Sequence, residues 1–179
     1  GNTAPENNPQ ALLNLLMMWK ASDPIAGAPH VNAITRASAN PTTNQSVQFN
    51  VTFSKAVTGV DVSDFSLAAV GVTGATVTTV SGSGNLYTVT VQTGNGSGTL
   101  GLNLVDNDSI LDATANPLGG VGPGNGNFTG EVYTIDKTAP QVGHLVATNI
   151  ITGGGSTQTF TVVFSDNLAI DIASLDGND

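Results

Sequence analysis

The chain has 179 residues, four of them basic and 13 acidic, for a net charge of −9. That balance excludes nucleic-acid binding, which needs a basic footprint, and it excludes a polybasic patch for anionic lipid. The absence of cysteine excludes thiol catalysis and thiolate-bound zinc.

Charged residues make up 9% of the chain and hydrophobic ones 39%, so polarity comes from Thr, Ser, Asn and 22 Gly. Thr and Val suit strands, and Gly and Asn suit tight turns. This composition points to an all-β protein of many short strands. Eleven of the 13 acidic residues are Asp. Short carboxylates in loops fit either calcium or turn capping.

Residues 1–9 are polar and Pro-rich and read as a linker. In "NPQALLNLLMMWKAS" Asn8 suits an N-cap and Pro9 the first helical position. Leu12, Leu15, Leu16 and Trp19 share one stripe, which Leu13 and Met17 widen. Two readings stand for this expected helix. It packs against a neighbouring domain, or it is a docking or oligomerisation element. The apolar stretch Ala11 to Trp19 is too short to span a bilayer of about 30 Å, and no basic run precedes it.

Strands begin after the linker "DPIAGAP". "SVQFNVTF", 46–53, alternates Val47, Phe49, Val51 and Phe53 with polar residues, the pattern of a half-buried antiparallel strand. "NLYTVTVQ", 85–92, and "GTLGLNLV", 98–105, alternate in the same way, and weaker strands are expected at 31–37, 64–70, 73–80 and 130–136. "SGSGN" and "TGNGSG" mark turns between them. Seven short strands in about 105 residues fit a Greek-key β-sandwich.

Shifting the chain by 111 residues sets Pro140 on Pro29. Val31 then meets Val142, Phe49 meets Phe160, Val51 meets Val162 and Phe53 meets Phe164. The strand "QTFTVVFSD" is thus a second copy of "VQFNVTFSK", and "YTIDKTAP", 133–140, is the joint between two repeats. The expected organisation is a linker and helix over 1–27, one sandwich over 28–137, and the N-terminal part of a second, incomplete repeat over 138–179.

"FNVTFSKAVTGVDVSDFSL", "LNLVDNDSILDATANPLGG" and the joint "YTIDKTAP" together resemble bacterial immunoglobulin-like tandem repeats, and the likeness covers residues 28–179. The resemblance implies an immunoglobulin-like sandwich in a long surface or secreted protein of the adhesin, biofilm, surface-layer or filament kind. It also implies a stalk or spacer role, and often calcium. The Cys–Trp–Cys pattern of antibody domains is absent.

Asp106, Asp108 and Asp112 lie close together in a loop after a strand, Asp136 ends the last strand of the sandwich, and Asp61 and Asp64 lie in an earlier turn. Calcium needs six to eight oxygens, and Asp106, Asp108, Asp112 and Asp136 are the candidate ligands. The spacing is not that of an EF-hand, because Ile110 stands where a ligand would fall. Aspartate capping of turns is the alternative. His30 and His144 lack partners for a zinc site or triad and read as surface residues. "GGVGPGNGNFTG", 119–130, has no Lys and no following helix, so it reads as a flexible loop, not a phosphate cradle.

These readings point to a non-enzymatic structural spacer at the cell surface or outside the cell, stiffened by calcium. Its expected partners are neighbouring repeats and, through Leu12, Leu15, Leu16 and Trp19, further copies or surface-layer or filament contacts. A glycan- or protein-binding module, or a subunit assembling by strand complementation, is the alternative. A carbohydrate face usually shows exposed aromatics, and the sandwich carries no Trp.

Overall fold

A computed structural model describes residues 27–147, 153–154 and 157–168. The expected helix with Leu12, Leu15, Leu16 and Trp19 lies outside these residues. The chain divides into two compact units between Ile135 and Asp136, two residues before the boundary expected from the sequence.

The described residues of the first unit are all-β apart from one 3-10 turn. Its strands are β1 (Val31–Arg36), β2 (Ser46–Thr58), β3 (Phe65–Val70), β4 (Thr76–Gln92), β5 (Gly98–Leu104), β6 (Leu111–Asp112) and β7 (Phe128–Ile135). One sheet runs in the order β1-β2-β4, with β6 pairing the end of β2, and the other in the order β3-β5-β7. All these pairings are antiparallel.

Alternation in β2 does what the sequence asks of it. Val47, Phe49, Val51 and Phe53 are buried, and Gln48 is exposed between them. Their apolar partners come from β4 (Tyr87, Val89, Val91), from β5 (Leu100, Leu102, Leu104) and from β7 (Tyr133, Ile135), so one core fills the space between the sheets. Phe49 meets Tyr133 edge-on at 5.1 Å across that space, and Phe53 meets Tyr87 within its own sheet at 5.8 Å.

β4 is longer than either strand expected over 73–80 and 85–92, because the two are arms of one folded-back element. Thr78 Oγ1 donates to the Thr90 carbonyl (3.1 Å), and Ser81 Oγ reaches the Thr88 carbonyl (3.5 Å). The reversal falls at "GSG". Gly82 has φ 129°, and a Cβ there would strike the backbone of Leu86 and Tyr87.

Pairing also assigns the strand ends to two poles. At one, Leu104 faces Phe128, Phe65 faces Leu104, and the end of β2 faces β6. Gly119 N donates to Pro29 O (2.8 Å), and Lys55 Nζ reaches the Gly27 carbonyl, so the chain enters at this pole. At the other, Gly98 faces Ile135, Thr42 bridges Ile135 in parallel, and Ser46 faces Gln92. The chain leaves there.

The second unit contains one described pair, β8 (Gln141–Ala147) with β9 (Phe160–Ser165). Its register repeats that of β1 and β2, residue for residue, at the shift of 111. Val31↔Phe53 becomes Val142↔Phe164, Ile34↔Val51 becomes Leu145↔Val162, and Arg36↔Phe49 becomes Ala147↔Phe160. The irregularity between Val31 and Ala33 recurs between Val142 and His144. Burial does not repeat. Ile34 and Phe49 are 2% and 0% exposed, whereas Leu145 and Phe160 are 59% and 62% exposed.

Candidate functional site

The described aspartates of the first unit, Asp61, Asp64, Asp106, Asp108 and Asp112, gather at the pole where the chain enters. After β2, Asp61 caps a single 3-10 turn, Val62–Asp64, that leads into β3. Its Oδ1 accepts from Ser63 N (2.7 Å) and Ser63 Oγ (2.6 Å), while Asp61 N donates to Asp64 Oδ2 (2.8 Å). This reciprocal cap turns the chain sharply from one sheet to the other. The Ser63 hydroxyl and amide hold the Asp61 carboxyl below the usual carboxylate range.

Asp64 is 1% exposed. Burial pushes its carboxyl up, against hydrogen bonds from Asp61 N and from Ser109 Oγ (2.9 Å), and the charges of Asp61 and Asp106 push the same way as burial. The Asp64 carbonyl accepts from Val105 N, which ties this turn to the end of β5.

Asp106 and Asp108 follow β5 and organise the Gly-rich stretch. Asp106 Oδ1 accepts from Asp108 N (3.1 Å) and its Oδ2 from Gly126 N (3.1 Å). Its own amide donates to Asn127 Oδ1 (2.7 Å), and its carbonyl accepts from Gly124 N (3.0 Å). Asp108, with φ 65°, accepts from Gly122 N through Oδ2 (3.0 Å). Asp108 Oδ1 is buried without a hydrogen-bond partner, the one such side-chain atom among the described residues. The stretch expected to be a flexible loop is therefore fastened at Gly122, Gly124, Gly126 and Asn127. Glycine permits this: Gly119 has φ 73°, and a Cβ there would strike Asn125 and Gly126.

The other two expected ligands stand apart. Asp112 lies in β6, where its Oδ1 accepts from Thr114 N, Thr114 Oγ1 and Asn116 N. Its Oδ2 takes Asn116 Nδ2 (3.2 Å) and Lys55 Nζ (3.4 Å). Burial opposes its ionisation, but these hydrogen bonds outweigh it and hold the carboxyl well below its ordinary value. Asp112 thus caps a turn. Asp136 follows Ile135, which faces Gly98 at the end of β5 opposite Leu104. About 20 Å of strand separates that end from the Asp106 loop. Asp136 Oδ1 accepts from Thr138 N and Asn167 Nδ2 within the second unit. Among the described residues no three acidic or histidine side chains gather as a metal group.

Two shallow grooves flank β7. One lies against β1 with Ile34, Thr35, Phe128 and Glu131, the other against β5 with Ser66, Asn103 and Thr129. Glu131 is the only acidic residue in either, and it is engaged by Arg36. Tyr87 and Tyr133 are core residues, and His30 and His144 are exposed. Among the described residues no helix is long and apolar enough to cross a membrane.

The buried Asp64 escaped the sequence reading as a site. Its signal was the acidic pair three residues apart, Asp61 and Asp64, ahead of an apolar run, which is the spacing of a reciprocal cap. Comparison with protein-family models, curated proteins and solved structures finds no match to the chain.

Proposed function

We propose that the chain is part of a structural spacer, built from immunoglobulin-like Greek-key sandwiches in series, in an extracellular or cell-surface bacterial protein serving adhesion or surface assembly. The carrying observation is the recurrence of the β1–β2 register in β8–β9 after a unit that the chain crosses from pole to pole. Entry and exit at opposite ends add length with every repeat. The β1-β2-β4 and β3-β5-β7 sheets, with β4 folded into two arms, match the strand grouping of the immunoglobulin-like sandwich. Tandem polypeptides of two and four copies of residues 28–137 test the reading by small-angle scattering. The maximum dimension should grow by a constant step per copy, no less than the roughly 25 Å of strand length in β7. A compact envelope at four copies would overturn it.

Calcium belongs to this proposal at one place, the Asp106–Asp108 loop, where Asp108 Oδ1 is the oxygen a cation would satisfy. Extracellular modules bind calcium with dissociation constants of roughly 10⁻⁴ to 10⁻³ M. Millimolar calcium should raise the melting temperature relative to chelator, and Asp108→Asn should abolish the rise. No shift in the unaltered chain removes calcium from the proposal. The glycan-binding alternative draws no support from the sandwich, whose two tyrosines are buried. Strand complementation is favoured by the open apolar face of β8–β9.

A further inference from the structure

We propose that the outer edge of β3 pairs with the β3 edge of a second copy, antiparallel about a two-fold axis at Ala68, so that the two β3-β5-β7 sheets continue into one. This goes beyond the spacer reading and does not depend on it.

β3 ends its sheet, and its register with β5 fixes which backbone groups face outward. Asp64 and Val105 extend that register by one pair, and Val105 N donates to the Asp64 carbonyl (2.8 Å). Backbone groups along an antiparallel pair alternate sides. Asp64, Ser66, Ala68 and Val70 therefore turn theirs to β5, and Phe65, Leu67 and Ala69 turn theirs away. Phe65 N already donates to the Val62 carbonyl of the 3-10 turn. Among the described residues nothing hydrogen-bonds to the outward amides and carbonyls of Leu67 and Ala69.

Such an edge pairs with another chain unless charge, proline or a bulge blunts it. "FSLAAV" has neither charge nor proline, and its six pairs with β5 run without irregularity. Among the described residues the other edges of the sandwich are guarded. β1 and β7 close on each other through Arg36 Nη1 to the Val132 carbonyl (2.6 Å) and Thr42 N to the Thr134 carbonyl (3.0 Å). In the first arm of β4, Val77 and Val80 both pack on the core although three residues apart, so that arm is kinked.

The edge also fits itself. The chain carries −9, so copies repel wherever their charges meet. No Asp, Glu, Lys or Arg lies between Asp64 and Asp106, a stretch that holds β3, β4 and β5 whole. With the axis at Ala68, Leu67 of each copy faces Ala69 of the other, and each such pair exchanges two hydrogen bonds. Both side chains point to the core side, as Phe65 does, yet Leu67 is only half-buried and Ala69 is exposed. The second copy covers what the opposite sheet leaves bare. Two six-residue edges bury less than the ~800 Å² per partner of a stable interface, so one contact is weak. Antiparallel pairing sets the entry pole of one copy beside the exit pole of the other. If copies stand in series, two spacers would join side by side in opposite directions, with the weak contacts summed along their length.

Sedimentation of the full chain over a wide concentration range tests this. The mass should rise toward a dimer, and more so in high salt, which screens the net charge. Ala68 meets itself across the axis. Ala68→Lys and Ala68→Asp should therefore each give a monomer with the main melting transition intact, and mixing the two should restore the dimer. Gln48→Lys, exposed on β2 in the other sheet, should leave association in place. The chain has no cysteine, and residues that face each other in a non-hydrogen-bonded pair stand about 4.5 Å apart at Cα, within disulfide reach. Ala68→Cys should thus give a covalent dimer on oxidation far faster than Gln48→Cys. A chain that stays monomeric throughout, association that survives Ala68→Lys, a mixture of the Lys and Asp variants without dimers, or equal oxidation at the two cysteine positions overturns the proposal. Each of these leaves the tandem-copy scattering result, and with it the spacer reading, untouched.

Discussion

Replacing Tyr133 with Phe isolates the tie between the two sheets. Tyr133 rises from β7 with its ring fully buried against Phe49. Its hydroxyl donates to the Gln48 carbonyl of β2 (2.9 Å) and accepts from Ser38 N (3.0 Å). Phenylalanine keeps the ring and its packing, so no cavity opens. Three hydrogen bonds disappear, the third to the Ser38 hydroxyl (3.0 Å), and the two to backbone groups have a net worth of about 1 kcal/mol each. Gln48 O still accepts from Ala37 N (3.0 Å), and Ser38 is exposed enough for water to reach its amide. The loss should therefore be about 1.5–2.5 kcal/mol, without the added penalty of a buried orphan. For a unit of this size that lowers the melting temperature by roughly 6–15 °C. Urea unfolding should show a lower midpoint at unchanged slope, because the surface exposed on unfolding is the same. A drop under about 2 °C would refute the reasoning, since the two sheets would then be held by ring packing alone.

Gly130→Ala should cost about 1–3 kcal/mol by thermal melting, because a Cβ there meets the Leu102 carbonyl and the Ile34 side chain, with no room for either to yield. Asp112 has a folded pKa below its unfolded value, so its stabilisation is present above about pH 4 and fades as pH falls. The gap in melting temperature between the unaltered chain and Asp112→Asn should accordingly narrow in acid, and a constant gap would show that charge is not involved. Asp64 has the opposite sign. Its raised pKa favours the fold below about pH 4, and that benefit is lost as pH rises through the folded value. The unaltered chain should thus lose ground to Asp64→Asn on moving from acid toward neutral pH. Residues 141–179 expressed alone should show no cooperative melting, since Val142, Leu145, Phe160 and Val162 stay exposed on β8–β9 and two strands are marginal by themselves; a sharp transition there contradicts that reasoning.

What the sequence determined by itself is what depends on neighbours a few residues apart. The alternation of Val47, Phe49, Val51 and Phe53 chose a strand and its buried face, because a period of two places every second side chain on one side. "GSG" at 82–84 marked the reversal inside β4, because only glycine fits that backbone. The likeness of 158–166 to 47–55 pointed to a second copy of the β2 strand, and the structure adds that β8–β9 repeats the β1–β2 register. Tertiary structure decided what depends on which strand ends come together. It placed Asp61, Asp64, Asp106 and Asp108 at the entry pole and Ile135, just before Asp136, at the exit, because β5 and β7 run antiparallel and carry their ends apart. It gave Asp112 to a two-residue strand against β2, too short to leave a periodic signal. It tied the Gly-rich stretch to Asp106 and Asp108 through contacts 14 to 20 residues apart, a separation at which spacing in the sequence carries no information about direction.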